Sequence, residues 1–204
     1  MNSVVSDWMD KQIWPQIYAM IVNDAYFRVF EQAREITGKF NGHIAQLVHD
    51  GYLTSQMVDI RRLCDKRDDV VSLWRALIQA KTDVPHAIEL IEATLQNLDL
   101  CSHHVRTQVN QHIAHTADPD RTRNPAGWSM QMKHLTEAHE AICKAAITLD
   151  RDILRRKTLI SIVPVYQGDI MEDFRHWVPD ADIKRLCKLW HAHVKKVDDW
   201  RHCR

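Results

Sequence analysis

Apolar residues recur every three or four positions along most of the chain, which predicts helices that each bury one face. Glycine and proline are few, and the stretches between them are long enough for helices. The spacing assigns to inner faces Ile17, Met20, Ile21, Asp24, Tyr26, Phe27, Phe30 and Ala33 in one helix; Met57, Ile60, Leu63 and Cys64 in the next, after a cap at Thr54 or Ser55; and Val70, Leu73, Trp74, Leu77 and Ile78 in a third.

The longest predicted stripe runs toward the middle of the chain and is interrupted by one polar residue, Ser102. Its apolar positions are Ile88, Ile91, Leu95, Leu98, Val105 and Val109, and the next position on the same stripe is His112. An exposed loop is expected after Pro119, and helical spacing returns over residues 128–153.

The C-terminal part is predicted to end in a further helix. Residues 160–167 have a strand-like composition, but a single strand has no partner, so an extended connection is expected there. A helix follows Pro179, with Asp180 or Asp182 near its start. Its predicted inner face comprises Ile183, Leu186, Cys187, Trp190, Val194 and Val197. The predicted fold class is therefore all-α, a single helical bundle.

Composition supports one domain and excludes a protein-wide attraction to polyanions. A chain of 204 residues, 45% of them apolar, is of a size typical of one globular domain, here residues 1–204. Lysine plus arginine equals aspartate plus glutamate, at 27 each, so no net positive field draws the chain to nucleic acid or anionic lipid. Any contact with nucleic acid must be local.

The cysteines and the hydropathy pattern predict a cytoplasmic protein with no membrane partner. The five cysteines are odd in number, widely spaced and never arranged as CxxC, which is typical of free thiols in a reducing compartment. The first twelve residues contain acidic positions where a signal peptide would be basic, and no apolar stretch approaches the roughly 20 residues that span a bilayer.

Residues 103–118 contain a group of side chains that are common in catalytic and binding sites: Arg106, Asn110, His112, His115 and Asp118. Histidine transfers protons near neutral pH and arginine binds phosphate, so this set suits cleavage of a phosphodiester. His112 and His115 could alternatively bind one metal ion, but two histidines do not complete a zinc site and the chain has no HExxH sequence. We expect neither a metal nor another cofactor.

Three segments, in this order, carry a resemblance to a known family: IWPQIYAMIVNDAYFRVFEQ, IRRLCDKRDDVVSLWRAL and NQHIAHTAD. They resemble the AbiU-type abortive-infection branch of the HEPN superfamily over about residues 10–120, with residues 125–204 as a helical C-terminal extension. The resemblance implies a HEPN-type helical bundle and a homodimer. For active members it implies a metal-independent endoribonuclease of a phage-defence or toxin-type system, with RNA and a cognate antitoxin as partners.

The family motif, an arginine, a polar residue that is often asparagine and then a histidine, can be aligned with this sequence in two registers, of which the first lacks the arginine and the second has Thr107 in place of the asparagine. With the motif ending at His115, Asn110 takes the polar position and Val109 the arginine position. In the second register Arg106 pairs with His112, about 120° around and about 9 Å along an ideal helix. Arg106 and His115 lie on opposite faces of such a helix, so they converge only if the helix breaks or two protomers share a cleft.

Two functions follow from these assignments. In the first, His115 or His112 is the general base, Arg106 stabilises the phosphorane charge and Asn110 orients the phosphate. In the second, the chain keeps the fold and the dimer but serves as a non-catalytic binding or regulatory module. Structural roles compete with both, because His112 also suits a core position and His115 a helix end. Val109 favours the second function, and His115 with Asn110 favours the first.

Overall fold

The structure, a computed structural model, describes residues 4–112, 130–156 and 171–200, without the side chains of residues 111 and 112. Throughout the described residues the regular structure is helical, with no strand, which confirms the all-α class. The α-helices are α1 (Val4–Trp8), α2 (Trp14–Thr37), α3 (His43–Leu63), α4 (Leu73–Asp83), α5 (Ile88–His112), α6 (Met132–Ile147), α7 (Glu172–Arg175) and α8 (Asp180–Asp199). Two π-helical segments, Met9–Ile13 and Thr148–Ile153, follow α1 and α6, and a 3-10 turn, Pro85–Ala87, precedes α5.

Local sequence signals explain several helix ends. Gly38 follows the end of α2 at φ 63°, and its N–H donates to the Arg34 carbonyl at 2.9 Å, as expected of a left-handed glycine at a helix C-terminus. Ser72 caps α4, because its hydroxyl accepts a hydrogen bond from the Arg75 N–H at 3.1 Å. α8 begins directly after Pro179, with acidic residues in its first turn, as predicted.

The chain divides into two compact units. Unit 1 consists of Met1–Ile17 and Thr54–Leu159, and unit 2 of Tyr18–Leu53 and Ile160–Arg204. The boundaries fall inside α2 and α3. Whether the chain folds as the single domain expected from its length, with an extension after residue 125, stays a prediction.

Unit 1 is organised around α5, which packs most extensively against α6 and also contacts α4. The predicted stripe of α5 is buried at Ile91, Leu95, Leu98, Val105 and Val109. Other buried apolar residues of unit 1 include Met57, Ile60, Leu63, Leu73, Leu77, Leu135, Ile142 and Leu149. Burial of this stripe confirms the face predicted from sequence spacing.

Unit 2 buries the inner faces of α2 and α8 in one apolar cluster. Its buried members are Ala25, Val29, Ala33, Met171, Phe174, Val178, Ile183, Leu186 and Trp190. Aromatic contacts extend the cluster, since the ring of Tyr26 lies 5.4 Å, edge to face, from that of Trp190. The inner face predicted for α8 is confirmed, with Cys187 and Val194 partly buried at its margin.

Two local predictions were wrong. α3 begins at His43, so Thr54 and Ser55 lie inside the helix and cap nothing. The prediction placed the start of the helix at the start of its buried face, but the first turns of α3 expose their apolar residues, such as Ile44. Val70 precedes α4 and lies outside it.

The burial of two predicted inner positions also differs. Ile88 opens α5 and is 40% exposed, although Ala87 before it and Ile91 three residues later are buried. Trp74 is half-buried, and the Lys66 ammonium lies 4.2 Å from its ring centroid, so one face of the ring contacts a cation instead of the core.

The part of the chain that the structure describes contains no helix with the length and apolar character needed to cross a membrane.

Candidate functional site

The C-terminal half of α5 positions the predicted site. The helix continues unbroken from Ile88 to His112. Val105 and Val109 are buried, at 0% and 2% exposure, and fix the inward face. Ser102 is buried on the same face, where its hydroxyl donates to the Leu98 carbonyl at 2.6 Å, so its polarity is satisfied within the helix.

Asn110 lies on the outer side of α5 and is exposed. Its side-chain oxygen accepts a hydrogen bond from the Nε of Arg61 at 3.1 Å. Arg61 belongs to the last turn of α3, so this contact brings a guanidinium from a second helix beside a residue of the predicted motif. Arg61 is not among the predicted site residues, because nothing in the sequence relates it to a residue 49 positions away.

Arg106, one helical turn before Asn110, is held by a carboxylate of its own helix. Its guanidinium donates to Asp99, which also binds the Lys66 ammonium at 2.8 Å. The Lys66 hydrogen bond and the Arg106 charge hold the pKa of Asp99 below its usual value. The Arg106 side chain is only 18% exposed, and its Nε is buried with no hydrogen-bond partner among the described residues. Much of its positive charge is therefore balanced inside the protein.

Cys64, at the end of α3, is a nucleophilic residue type that lies close to this network. Burial raises the pKa of its thiol to about 12, while Ser102 and Arg106 act in the opposite direction. The thiolate, the reactive form, is scarce at neutral pH with such a pKa. Cys64 thus has a structural role, as the buried free thiol that the sequence predicted.

The histidines of the predicted site lie at or beyond the limit of the described residues. His112 is the last residue of α5, and its side chain is outside the description. His115 and Asp118 also lie outside the described residues. Because α5 is unbroken between Arg106 and His112, their separation along one helix is as the second register assumes. Both registers stay predictions.

Two other histidines meet between α5 and α6. The ring centroids of His104 and His134 are 4.2 Å apart. Burial, and then the neighbouring His104, lowers the pKa of His134, whose Nδ1 accepts a hydrogen bond from the Gln131 N–H at 3.3 Å. Across the described ranges, no three histidine, cysteine or acidic residues are grouped to hold a metal ion. The pair is therefore a helix contact that sequence spacing did not reveal.

Unit 2 contains a separate buried polar cluster around Asp24, which is 1% exposed. Its carboxylate accepts hydrogen bonds from the Tyr52 hydroxyl and, at 2.8 Å, from the Nε of Arg28. The Nε2 of His193 lies 3.2 Å from it. Burial, followed by the Asp24 charge, raises the pKa of Tyr52, while burial lowers the pKa of His193 against the attraction of Asp24. The available sequence signal was an aspartate at an apolar position of α2.

Unit 2 also has an open pocket of about 370 Å³, lined by Glu31, Arg34, Gly42, Ala45, Gln46 and His49. The guanidinium of Arg34 bonds the Glu31 carboxylate at 2.8 Å and the Asn41 side chain at 3.3 Å. The positive charge of this pocket is thus paired within its own wall.

No protein-family model, curated protein or solved structure matches this chain. The resemblance to the HEPN superfamily remains an expectation from the sequence, and the function has to be argued from the residues themselves.

Proposed function

We propose that this chain is a HEPN-like helical protein of a phage-defence or toxin-type system that cleaves RNA without a metal ion. The observation that carries the proposal is the exposure of Asn110 on the outer side of α5, opposite in environment to its buried neighbour Val109. Arg106 lies four residues earlier, on the same side of an unbroken helix that leads to His112. A polar face therefore precedes the predicted histidines.

The reaction that these residues suit is an internal transesterification. His115 or His112 takes the proton of a ribose 2′-hydroxyl, whose oxygen forms a bond to phosphorus while the bond from phosphorus to the 5′-oxygen breaks. The leaving oxygen takes up a proton, and the products are a 2′,3′-cyclic phosphate and a 5′-hydroxyl. Arg106 stabilises the negative charge of the phosphorane, and Asn110 orients the phosphate.

The test is incubation of the purified protein with mixed RNAs in EDTA. Wild type is expected to release fragments with cyclic-phosphate ends, and His115→Ala and Arg106→Ala are expected to lose this activity. His103→Ala is the matched control, since His103 is an exposed histidine of α5 outside the predicted motif. The nuclease proposal is wrong if wild type leaves every RNA intact, or if both site variants cut as well as wild type.

A second candidate function is a non-catalytic dimeric HEPN-fold module that binds or regulates a partner, such as a cognate antitoxin. The specific observation in its favour is the pairing of Arg106 with Asp99, which leaves less of that guanidinium's charge for a phosphate. This candidate predicts a stable homodimer by light scattering and no RNA cleavage by wild type. A monomer at micromolar concentration would contradict it.

A further inference from the structure

We propose that Arg61 is a second guanidinium of the RNA site, which binds phosphate together with Asn110 in addition to the role proposed for Arg106. This inference rests on the proposed action on RNA and names a residue that the sequence motif does not contain. Arg61 comes from α3, whereas every residue of the predicted motif comes from α5 or from the segment after it.

The first observation in support is that the cations near Arg61 are bonded to carboxylates. Lys66 and Arg106 both bind the carboxylate of Asp99. Arg67 binds the carboxylate of Asp65, with its terminal nitrogen at 3.0 Å. These three cations thus share two carboxylates, and each of them is bonded to an acidic side chain.

Arg61 is held differently. Its hydrogen bond goes from Nε to the amide oxygen of Asn110, which is uncharged, so the bond orients the guanidinium without neutralising it. Asp65 lies near enough for the Arg61 charge to contribute to the lowering of its pKa, but its oxygens are bonded to Arg67. An oriented, half-buried cation that keeps its charge is suited to binding an anion.

The second support is the geometry of the two donors. A guanidinium that uses Nε to bind Asn110 still carries four N–H bonds on its terminal nitrogens. The amide group of an asparagine whose oxygen accepts a hydrogen bond still has two N–H bonds to donate. Asn110 is exposed, so a phosphate that approaches the outer side of α5 meets donors from both side chains. A phosphodiester of single-stranded RNA is the ligand we assign to this pair, because one local cation supported by a neutral donor suits a chain without net positive charge.

Binding of a labelled single-stranded RNA, followed by fluorescence anisotropy over a range of salt concentrations in EDTA, tests this assignment apart from cleavage. Arg61→Ala is expected to weaken binding about tenfold and to reduce the slope of log K against log salt by about 0.7, the value for one phosphate contact on a single strand. Arg61→Lys keeps the charge and should restore the slope, though not the full affinity. Arg62→Ala is the matched control, an exposed arginine of the same helical turn, and should change affinity less than about twofold.

The outcomes separate this assignment from the proposed nuclease activity. If Arg61→Ala binds RNA as well as Arg62→Ala does, or if wild type binds no RNA, the role of Arg61 is refuted. If RNA binding depends on Arg61 while wild type cuts no RNA, the role of Arg61 holds and the nuclease proposal fails. Circular dichroism of Arg61→Ala should match that of wild type, and a variant that unfolds is replaced by Arg61→Gln, with the same expectations.

Discussion

Tyr52 donates a hydrogen bond to the buried carboxylate of Asp24, and we expect the Tyr52→Phe variant to be clearly less stable than wild type. Phenylalanine keeps the ring, which stacks on Phe27 with centroids 3.7 Å apart, so the substitution removes the hydroxyl and little else. Asp24 also binds Arg28, and its carboxylate lies beside His193. The hydroxyl is therefore one of several groups that solvate this charge.

The expected loss is about 1.5–3 kcal/mol, the usual contribution of a hydrogen bond to a charged group. The lower part of this range applies, because the Asp24 carboxylate keeps Arg28 after the substitution. Asp24→Asn should cost more, about 3 kcal/mol, since it removes the carboxylate charge that pairs with the partly buried Arg28 guanidinium. This expected loss is near the lower end of the range for breaking a buried ion pair, because the Arg28 side chain is 32% exposed and solvent screens its charge.

Urea unfolding followed by circular dichroism measures these losses as shifts in midpoint at constant m-value. Tyr18→Phe is the control, because Tyr18 is a tyrosine of the same unit that is 40% exposed, and it should change stability by less than about 0.5 kcal/mol. In the double variant, Tyr52→Phe should cost less than it does alone, with a coupling of about 1 kcal/mol or more. If Tyr52→Phe is as stable as Tyr18→Phe, or if the two substitutions at Asp24 and Tyr52 are additive, the hydrogen bond contributes nothing and this reasoning is refuted.

Three further predictions concern buried groups. Burial holds the pKa of His193 below its unfolded value of about 6.5, so the unfolded chain takes up the proton first as the pH falls. The free energy of unfolding therefore falls as the pH drops below about 6.5. In urea titrations at several pH values, the His193→Gln variant should lack the part of this fall that His193 causes. A pH profile unchanged from that of wild type would contradict the role given to His193. Leu98→Ala should lower the free energy of unfolding by about 2–5 kcal/mol, because it opens a cavity in the core. Ser102→Ala should lower it by less than about 1 kcal/mol, because the Ser102 hydroxyl bonds a carbonyl of its own helix. Equal losses of stability in thermal unfolding would contradict the assignment of the buried stripe. Cys64 and Cys143 should resist iodoacetamide at neutral pH in the folded protein, because burial raises the pKa of both thiols; peptide mapping that finds rapid modification of either would show that the site opens.

At the candidate site, the spacing of apolar residues predicted which residues are buried but not the partners of the polar side chains. The three-four pattern correctly placed Val105 and Val109 inside. It could not show that Arg106 binds Asp99, because several rotamers of a long side chain reach different partners from the same helix position. Nor could it show that Arg61 meets Asn110, since contacts between helices depend on how the helices pack.

Errors in the helix boundaries have a related cause. The predicted cap at Thr54 assumed that a helix begins where its buried stripe begins. α3 instead starts at His43, with Ile44 and Leu47 exposed, because hydrogen bonding within the helix does not require a core beneath each turn. A buried stripe therefore marks the part of a helix that is covered, which is shorter than the helix itself.

The sequence by itself determined the helical class and the inward faces of α5 and α8, because these depend on the 3.6-residue period and on local capping. The tertiary structure decided which polar groups of different helices meet: Tyr52 and His193 beside Asp24, and Arg61 beside Asn110. The physical reason is that burial of an apolar face is encoded by near neighbours in the chain. The partner of a charge, in contrast, is chosen by distance between helices, and sequence separation does not measure that distance.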